Sequence, residues 1–217
     1  MVGLVGIGNM PEHFLRKVRY WRKRLVPITM NYVYVYPEFF DDKKLLLSGK
    51  WVEYRTKLIN IYNDVEKSVW IAVYPDHQCR WLNFPSDIQY VYPIHDLEND
   101  WKCLEIINKH TTGWNFAGYP SGEYNIKLFL EKAKELGYGY YDLWYMGLKP
   151  KDIKYLNQFF GVDLTTMSLR GYNFEKIKRD GAREIIEFAI RLLKMTFCKQ
   201  KSIDEFFMEN KRTSGRC

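Results

Sequence analysis

Acidic and imidazole side chains follow several short apolar runs of the sequence. They occur in and after three such runs, at Asp76, His77, His95, Asp96 and Asp163. Carboxylates and imidazoles exchange protons, and histidine titrates close to neutral pH, so all five are candidates for acid–base chemistry. The alternatives are a capped turn for Asp76, a helix N-cap for Asp96 and satisfied polar contacts for the histidines.

The elements that must position these side chains alternate along the chain. Short apolar or β-branched runs predict strands, and the amphipathic stretches between them predict helices. Strands are predicted at 27–36, 44–47, 68–74, 88–92, 113–118, 139–146 and 162–167. Helices are predicted at 11–24, 51–65, 97–109, 123–136, 151–160 and 181–198.

This alternation predicts an α/β fold with a mostly parallel sheet. Returns made by single helices favour a compact (β/α) barrel of the TIM type, complete or incomplete, with a doubly wound parallel sheet as the alternative. No low-complexity linker divides the 217 residues, so we expect one barrel domain over 1–200 and a C-terminal helix with a basic tail over 201–217. The active-site rim of such a barrel lies at the carboxyl ends of its strands.

Basic residues are concentrated in the first predicted helix. The chain carries a formal charge of +7, and six of the nine residues from 16 to 24 are cationic. These six are Arg16, Lys17, Arg19, Arg22, Lys23 and Arg24. Such a density of cations repels itself unless a polyanion is near, which favours a nucleic-acid phosphate backbone as partner. The alternative is a solvated helix face.

Composition places the protein in the cytoplasm. Hydrophobic residues make up 47% and charged residues 27%, and no apolar run reaches the length of a membrane span or a signal peptide. The four cysteines are widely scattered and form no CxxC pair, so we expect neither a zinc site nor a disulfide framework. A glycine-rich stretch at 3–8 lacks the third glycine and the later acid of a dinucleotide fingerprint and is interpreted as a turn, so no redox cofactor is expected.

Six segments, in order along the chain, resemble the tRNA-guanine transglycosylase family. Residues 144–153 (WYMGLKPKDI) and 161–166 (GVDLTT) are similar to its late strands, YLMGVGTPEDL and GVDMFD. Residues 70–79 (WIAVYPDHQC) resemble the strand that ends in the base-recognising aspartate, and 116–121 (FAGYPS) a glycine-rich strand end that binds the base. Residues 46–51 (LLSGKW) resemble the DSGGF segment, and 6–14 (GIGNMPEHF) the N-terminal turn of phage relatives that act on DNA.

The resemblance implies a glycosyltransferase that exchanges a purine or deazapurine base in RNA or DNA without a cofactor. Asp163 would be the nucleophile or stabilise the sugar. Asp76 and the backbone of Gly118 would read the base. The pocket would also include Ser48, Asp96 and Tyr119. The basic cluster of the first helix and Lys149 would bind phosphates.

Three departures from the family pattern leave a second hypothesis open. Leu47 stands where DSGGF has its catalytic carboxylate, Thr166 stands at the nucleophilic aspartate, and the cysteine-rich zinc insertion is absent. Base exchange passes through an oxocarbenium-like sugar, which needs one carboxylate at the anomeric carbon and another group to move the proton of the base. The alternative is therefore a catalytically degenerate barrel that binds nucleic acid or serves in assembly. A glycoside hydrolase would instead require two carboxylates facing each other roughly 5 to 10 Å apart.

Overall fold

A computed structural model gives the fold and describes residues 2–26, 32–64, 69–164 and 174–194. The strands are β1 Leu4–Ile7, β2 Val33–Val35, β3 Phe39–Phe40, β4 Ile71–Val73, β5 Gln89–Pro93, β6 Phe116–Pro120, β7 Leu143–Met146 and β8 Gly161–Leu164. The helices are α1 Glu12–Leu25, α2 Lys43–Leu47, α3 Trp51–Tyr62, α4 Asp100–Asn108, α5 Ile126–Glu135 and α6 Phe174–Lys194. Two 3₁₀ segments, Tyr140–Asp142 and Pro150–Gln158, precede β7 and β8.

The eight strands form one parallel sheet that curls into a nearly closed barrel. Their order is β2-β1-β8-β7-β6-β5-β4-β3, and every pairing is parallel. The helices surround the sheet, which confirms the predicted α/β barrel of the TIM type. Most strands are buried over their whole length, as expected where helices cover the outside and side chains fill the inside.

The barrel has a seam between its two edge strands, β2 and β3. Only residues 36–38 separate them, whereas a return between neighbouring parallel strands needs a dozen residues or more. The segment 33–40 therefore changes its pairing partner along its length: β2 pairs with β1, and β3 pairs with β4. α1 braces this bend, because Arg19 donates to the carbonyl of Tyr36 at 2.7 Å and Arg22 binds the Glu38 carboxylate at 2.5 Å.

Glycines inside the barrel make room for aromatic rings. A Cβ on Gly161 would lie 1.9 Å from the Trp144 ring, and one on Gly6 would lie 2.7 Å from the Phe39 ring. The two rings stack on each other with centroids 5.2 Å apart. The interior is thus filled by side chains, so any ligand site has to lie at a barrel end.

Three expectations about local structure are wrong. Residues 44–47 form part of helix α2 rather than a strand, because the Asp42 side chain accepts the Leu45 N–H and caps the turn. The glycine-rich stretch at 3–8, expected to be a turn, contains strand β1. The third correction concerns the cysteines: Cys79 and Cys103 form a disulfide.

Other expectations are met in part. The helices predicted at 11–24, 51–65, 97–109 and 123–136 correspond to α1, α3, α4 and α5, and the one predicted at 151–160 is a 3₁₀ segment. The tail at 201–217 lies outside the described residues, so the division of the chain at residue 200 stays a prediction. Within the described part of the chain, no helix is both long and apolar enough to cross a membrane.

Candidate functional site

A pocket of about 280 Å³ opens at the carboxyl ends of the strands. Its walls come from the residues that follow β3, β4, β5, β6 and β7, which is the end where (β/α) barrels carry their sites. The lining residues are Asp41, Lys43, Leu46, Leu47, Val73, Asp76, Pro93, His95, Pro120, Ser121, Glu123, Met146 and Gly147. The volume lies just below the range typical of drug-sized ligands, which suits a single base.

Two buried aspartates share Lys43, a lysine that lines this pocket. The Lys43 ammonium lies 3.8 Å from Oδ2 of Asp41 and 3.7 Å from Oδ2 of Asp163. The other oxygen of Asp163 accepts the N–H of Gly147 at 2.9 Å. Asp163 raises the pKa of Lys43 most strongly, so the ammonium stays charged and compensates the carboxylates.

Asp41 has the electrostatics of a proton-transfer group. Burial raises its pKa to about 7; Lys43 opposes this rise, and the nearby carboxylate of Asp163 adds to it. Among the described residues, Oδ1 of Asp41 has no hydrogen-bond partner. A carboxyl that is half protonated near neutral pH and lines a pocket can both donate and accept a proton.

The turn after β1 and the base of α3 hold Asp41 in place. The N–H of Asn9 donates to the Asp41 carbonyl at 2.8 Å, and the Asn9 amide donates to the Asp42 carboxylate at 3.0 Å. Lys57 of α3 binds the same Asp42 carboxylate at 2.6 Å. A Cβ on Gly8 would lie 3.0 Å from the Asp41 carboxylate, so this glycine allows the close approach.

A histidine joins two further carboxylates in the wall of the pocket. His95 Nδ1 lies 2.5 Å from Glu123 Oε2, and His95 Nε2 lies 3.4 Å from Asp76 Oδ1. The second distance is long for a hydrogen bond, so the attraction there is mainly between charges. Asp76 and Glu123 together raise the pKa of His95 to about 9, so the imidazolium is charged at neutral pH. His77 lies beside it, with ring centroids 5.0 Å apart.

Four of the residues predicted to line the pocket lie elsewhere. Gly118 lies within β6, where its carbonyl accepts the Ile94 N–H and a Cβ would meet Met146 at 2.6 Å. Ser48 bonds to the carbonyls of α2, and Asp96 caps the turn before α4 through the N–H of Glu98. Tyr119 is buried, and its hydroxyl donates to the Tyr124 carbonyl. Of the predicted set, Asp76 lines the pocket, and the buried Asp163 lies behind the lining, in contact with Lys43 and Gly147.

The basic residues of α1 divide into two groups. Arg19 and Arg22 face the barrel and brace the seam, as described above. The remaining cations are exposed on the outer wall: Arg16, Lys17, Lys23 and Arg24. Lys149 lies nearer the pocket, since its ammonium reaches over Gly122, beside the lining residue Ser121.

Sequence reasoning missed three residues of the site: Asp41, Lys43 and Glu123. Matching SGKW to the family's DSGGF segment puts Leu47 at the position of the catalytic carboxylate. The Asp-Asp pair directly after Phe39-Phe40 is the signal that could reveal Asp41, but the sequence pattern predicts the strand at 44–47 instead. In the described part of the chain, no group of three or more His, Cys, Asp or Glu side chains is arranged to hold a metal ion.

The chain is similar to one viral protein, the uncharacterized protein ORF192 of Acidianus two-tailed virus. The two are 28% identical over 207 residues, which cover 88% of this chain and 95% of the viral protein. No family model matches the chain, and no solved structure matches it. The similarity spans nearly the whole of both chains, but the name of the viral protein assigns no activity. The resemblance to the transglycosylase family therefore stays a proposal.

Proposed function

We propose that the protein is a transglycosylase-like enzyme that binds a guanine or 7-deazaguanine base in nucleic acid and exchanges it. One observation carries this proposal: two aspartates from non-neighbouring strands share Lys43 beside a pocket the size of a base, Asp41 in its lining and Asp163 directly behind Lys43 and Gly147. Base exchange requires one carboxylate at the sugar and a second group that moves a proton.

The roles of the two aspartates follow from their surroundings. As the bond between C1′ of the sugar and the base nitrogen breaks, its electron pair leaves with the base, and Asp41 supplies the proton that the departing base takes up. Asp163 stabilises the positive charge that develops at C1′, or bonds to C1′ once Lys43 has moved aside. The incoming base then forms the new bond to C1′, which releases the Asp163 carboxylate with its electron pair where that bond had formed, and the base returns its proton to Asp41. The Lys43 side chain is 46% exposed, which leaves it room for this movement.

Asp76 is the proposed reader of the base. Guanine presents N–H donors along its pairing edge, and a carboxylate accepts two of them well. The charged His95 holds Asp76 from one side, and Ser121 offers a further polar group within the pocket. Because the carbonyl of Gly118 is already hydrogen-bonded, we assign no base contact to Gly118.

Phosphate groups are proposed to contact the exposed cations of α1 and Lys149. Each neutralised phosphate makes binding more sensitive to salt. A nucleic-acid substrate favours the cytoplasm as the location, whereas the Cys79–Cys103 disulfide is unusual there outside hyperthermophiles. Trapping the thiols by alkylation at the moment of cell lysis shows whether the bond exists in the cell.

Label transfer tests the activity directly. The protein is incubated with guanine-containing RNA or DNA and radiolabelled guanine or 7-deazaguanine, and label in the polymer is counted. Asp163→Asn and Asp41→Asn should each abolish incorporation. Asp87→Asn is the matched control, because Asp87 is an exposed acid that binds Tyr62 outside the pocket. Undiminished transfer by Asp163→Asn would refute its assigned role.

A second candidate function is nucleic-acid binding without catalysis. The near-complete burial of Asp163, which is 2% exposed, favours it because a nucleophile has to reach the sugar. Salt-dependent binding by a protein that transfers no label with any base would select this function over exchange.

A further inference from the structure

Leu47 is an apolar side chain left in solvent at the mouth of the pocket. It is 81% exposed, more than any other large hydrophobic residue of the described chain, although it lines the pocket together with Leu46. An exposed leucine forgoes the free energy that burial of its apolar surface would contribute. No contact within the described fold accounts for the exposure of Leu47, and a leucine cannot supply the carboxylate that the DSGGF segment has at this position.

The backbone that presents Leu47 is fixed at both ends. Asp42 caps the start of α2, and Ser48 donates to the carbonyls of Lys44 and Leu45 at its end. Gly49 follows at φ +68° with open space around it, so the chain turns away sharply and leaves Leu47 at a corner. The side chain is thus held out by a braced turn.

Cations flank this corner. Lys44 and Lys50 are both exposed, and Lys50 also pairs with Glu53. An apolar tip between cations at the entrance to a base pocket matches what base extrusion needs. The apolar group fills the gap left in the base stack, and the cations meet the phosphates on either side.

On this basis, and resting on the proposed function, we propose that Leu47 is a wedge that enters the stack as the target base leaves it, so that the substrate is a base-paired segment of nucleic acid. A base in a flexible single strand has no paired neighbours that hold a gap open when it leaves, and for it the wedge is dispensable. The inference therefore separates a duplex or stem substrate from a single strand.

Fluorescence tests insertion without requiring exchange. A hairpin carries 2-aminopurine next to the target guanine in its stem, and a single strand of the same sequence serves as reference. Wild-type protein should raise the fluorescence of the hairpin at saturation, because the neighbouring base unstacks. Leu47→Ala should lose most of this rise, and Leu47→Met, which keeps an apolar side chain of similar size, should retain it. Leu128→Ala is the control, since Leu128 is an exposed leucine on α5 outside the pocket.

Exchange rates give the second readout. Leu47→Ala should lower label transfer into the paired target by about tenfold or more and change transfer into the unpaired target by less than about twofold. Equal losses on both substrates, or no loss on the paired one, would overturn the wedge, as would a hairpin whose fluorescence does not respond to wild-type protein. A fluorescence rise that depends on Leu47, without label transfer to either substrate, would refute the exchange activity and leave the wedge standing.

Discussion

Removing the Cys79–Cys103 disulfide should cost stability that can be calculated from the chain. The two residues are 24 positions apart, and the entropy of closing a loop of that length in the unfolded chain amounts to roughly 3.5 kcal/mol at 25 °C. The double variant Cys79→Ala, Cys103→Ala should therefore have a free energy of unfolding lower by about this amount. With a denaturant slope of about 3 kcal/mol per molar urea, the midpoint should fall by roughly 1 M.

The bond also fastens the site, so activity should fall along with stability. Cys79 is three positions beyond Asp76, and Cys103 belongs to α4, whose Asp100 carboxylate accepts the N–H groups of His95 and Asp96 at 2.8 Å. Urea unfolding is compared for the wild type with and without reductant and for the double variant. Reductant should shift the wild-type midpoint to that of the variant and leave the variant unchanged. Coincident midpoints for all samples would refute the calculation, and a thiol count that reductant does not change would refute the bond itself.

Three further predictions concern charge, the seam and the interior. The pKa of His95 is about 9 in the folded protein and 6.5 in the unfolded chain, so its charged form stabilises the fold. This contribution is fully present below pH 6.5 and is lost as the pH rises through 9. His95→Gln should remove this part of the pH dependence of the free energy of unfolding, measured with urea. Arg22→Ala should lower the free energy of unfolding by about 1–3 kcal/mol, because it leaves the half-buried Glu38 carboxylate without this partner. Arg16→Ala, at an exposed position, should change the free energy of unfolding by less than about 0.5 kcal/mol. It should also reduce the slope of log binding constant against log salt concentration for nucleic acid by about 1. Gly161→Ala should lower the thermal midpoint, with about 1–3 kcal/mol lost, because the new methyl meets Trp144; an unchanged midpoint would contradict the packing.

The barrel could be predicted because its signals are local and repeated. Apolar runs separated by amphipathic stretches recur along the chain, and two consecutive strands that pair in parallel need a long connection, usually a helix, between them. The errors lie where a tertiary contact overrides the local pattern. Residues 44–47 are apolar enough for a strand, but the Asp42 side chain caps a helical turn there. Strand β1 has only four residues, one of which is a glycine, and it is a strand because it pairs with β2 on one side and β8 on the other.

The site was predicted in outline and missed in detail for a related reason. Asp76 and Asp163 follow from the rule that strand ends carry the chemistry, but that rule does not say which strand ends face each other. Lys43 is significant only because Asp163, distant in sequence, approaches it beside the neighbouring Asp41, and this requires the curled sheet. The pairing of Cys79 with Cys103 likewise depends on a loop and a helix that the fold brings together, since spacing alone leaves several pairings open.

The bend that carries β2 and β3 also sets the girth of the molecule. One continuous stretch of backbone supplies both strands. The chain therefore crosses the barrel wall seven times, although the sheet contains eight strands. A cylinder with fewer passes has a smaller diameter, which shortens the span across its mouth. Asp41 and Asp163, which follow or belong to strands far apart in the sheet, therefore both lie close to Lys43. An insertion that made β2 and β3 two independent strands would widen the barrel and move the two aspartates apart.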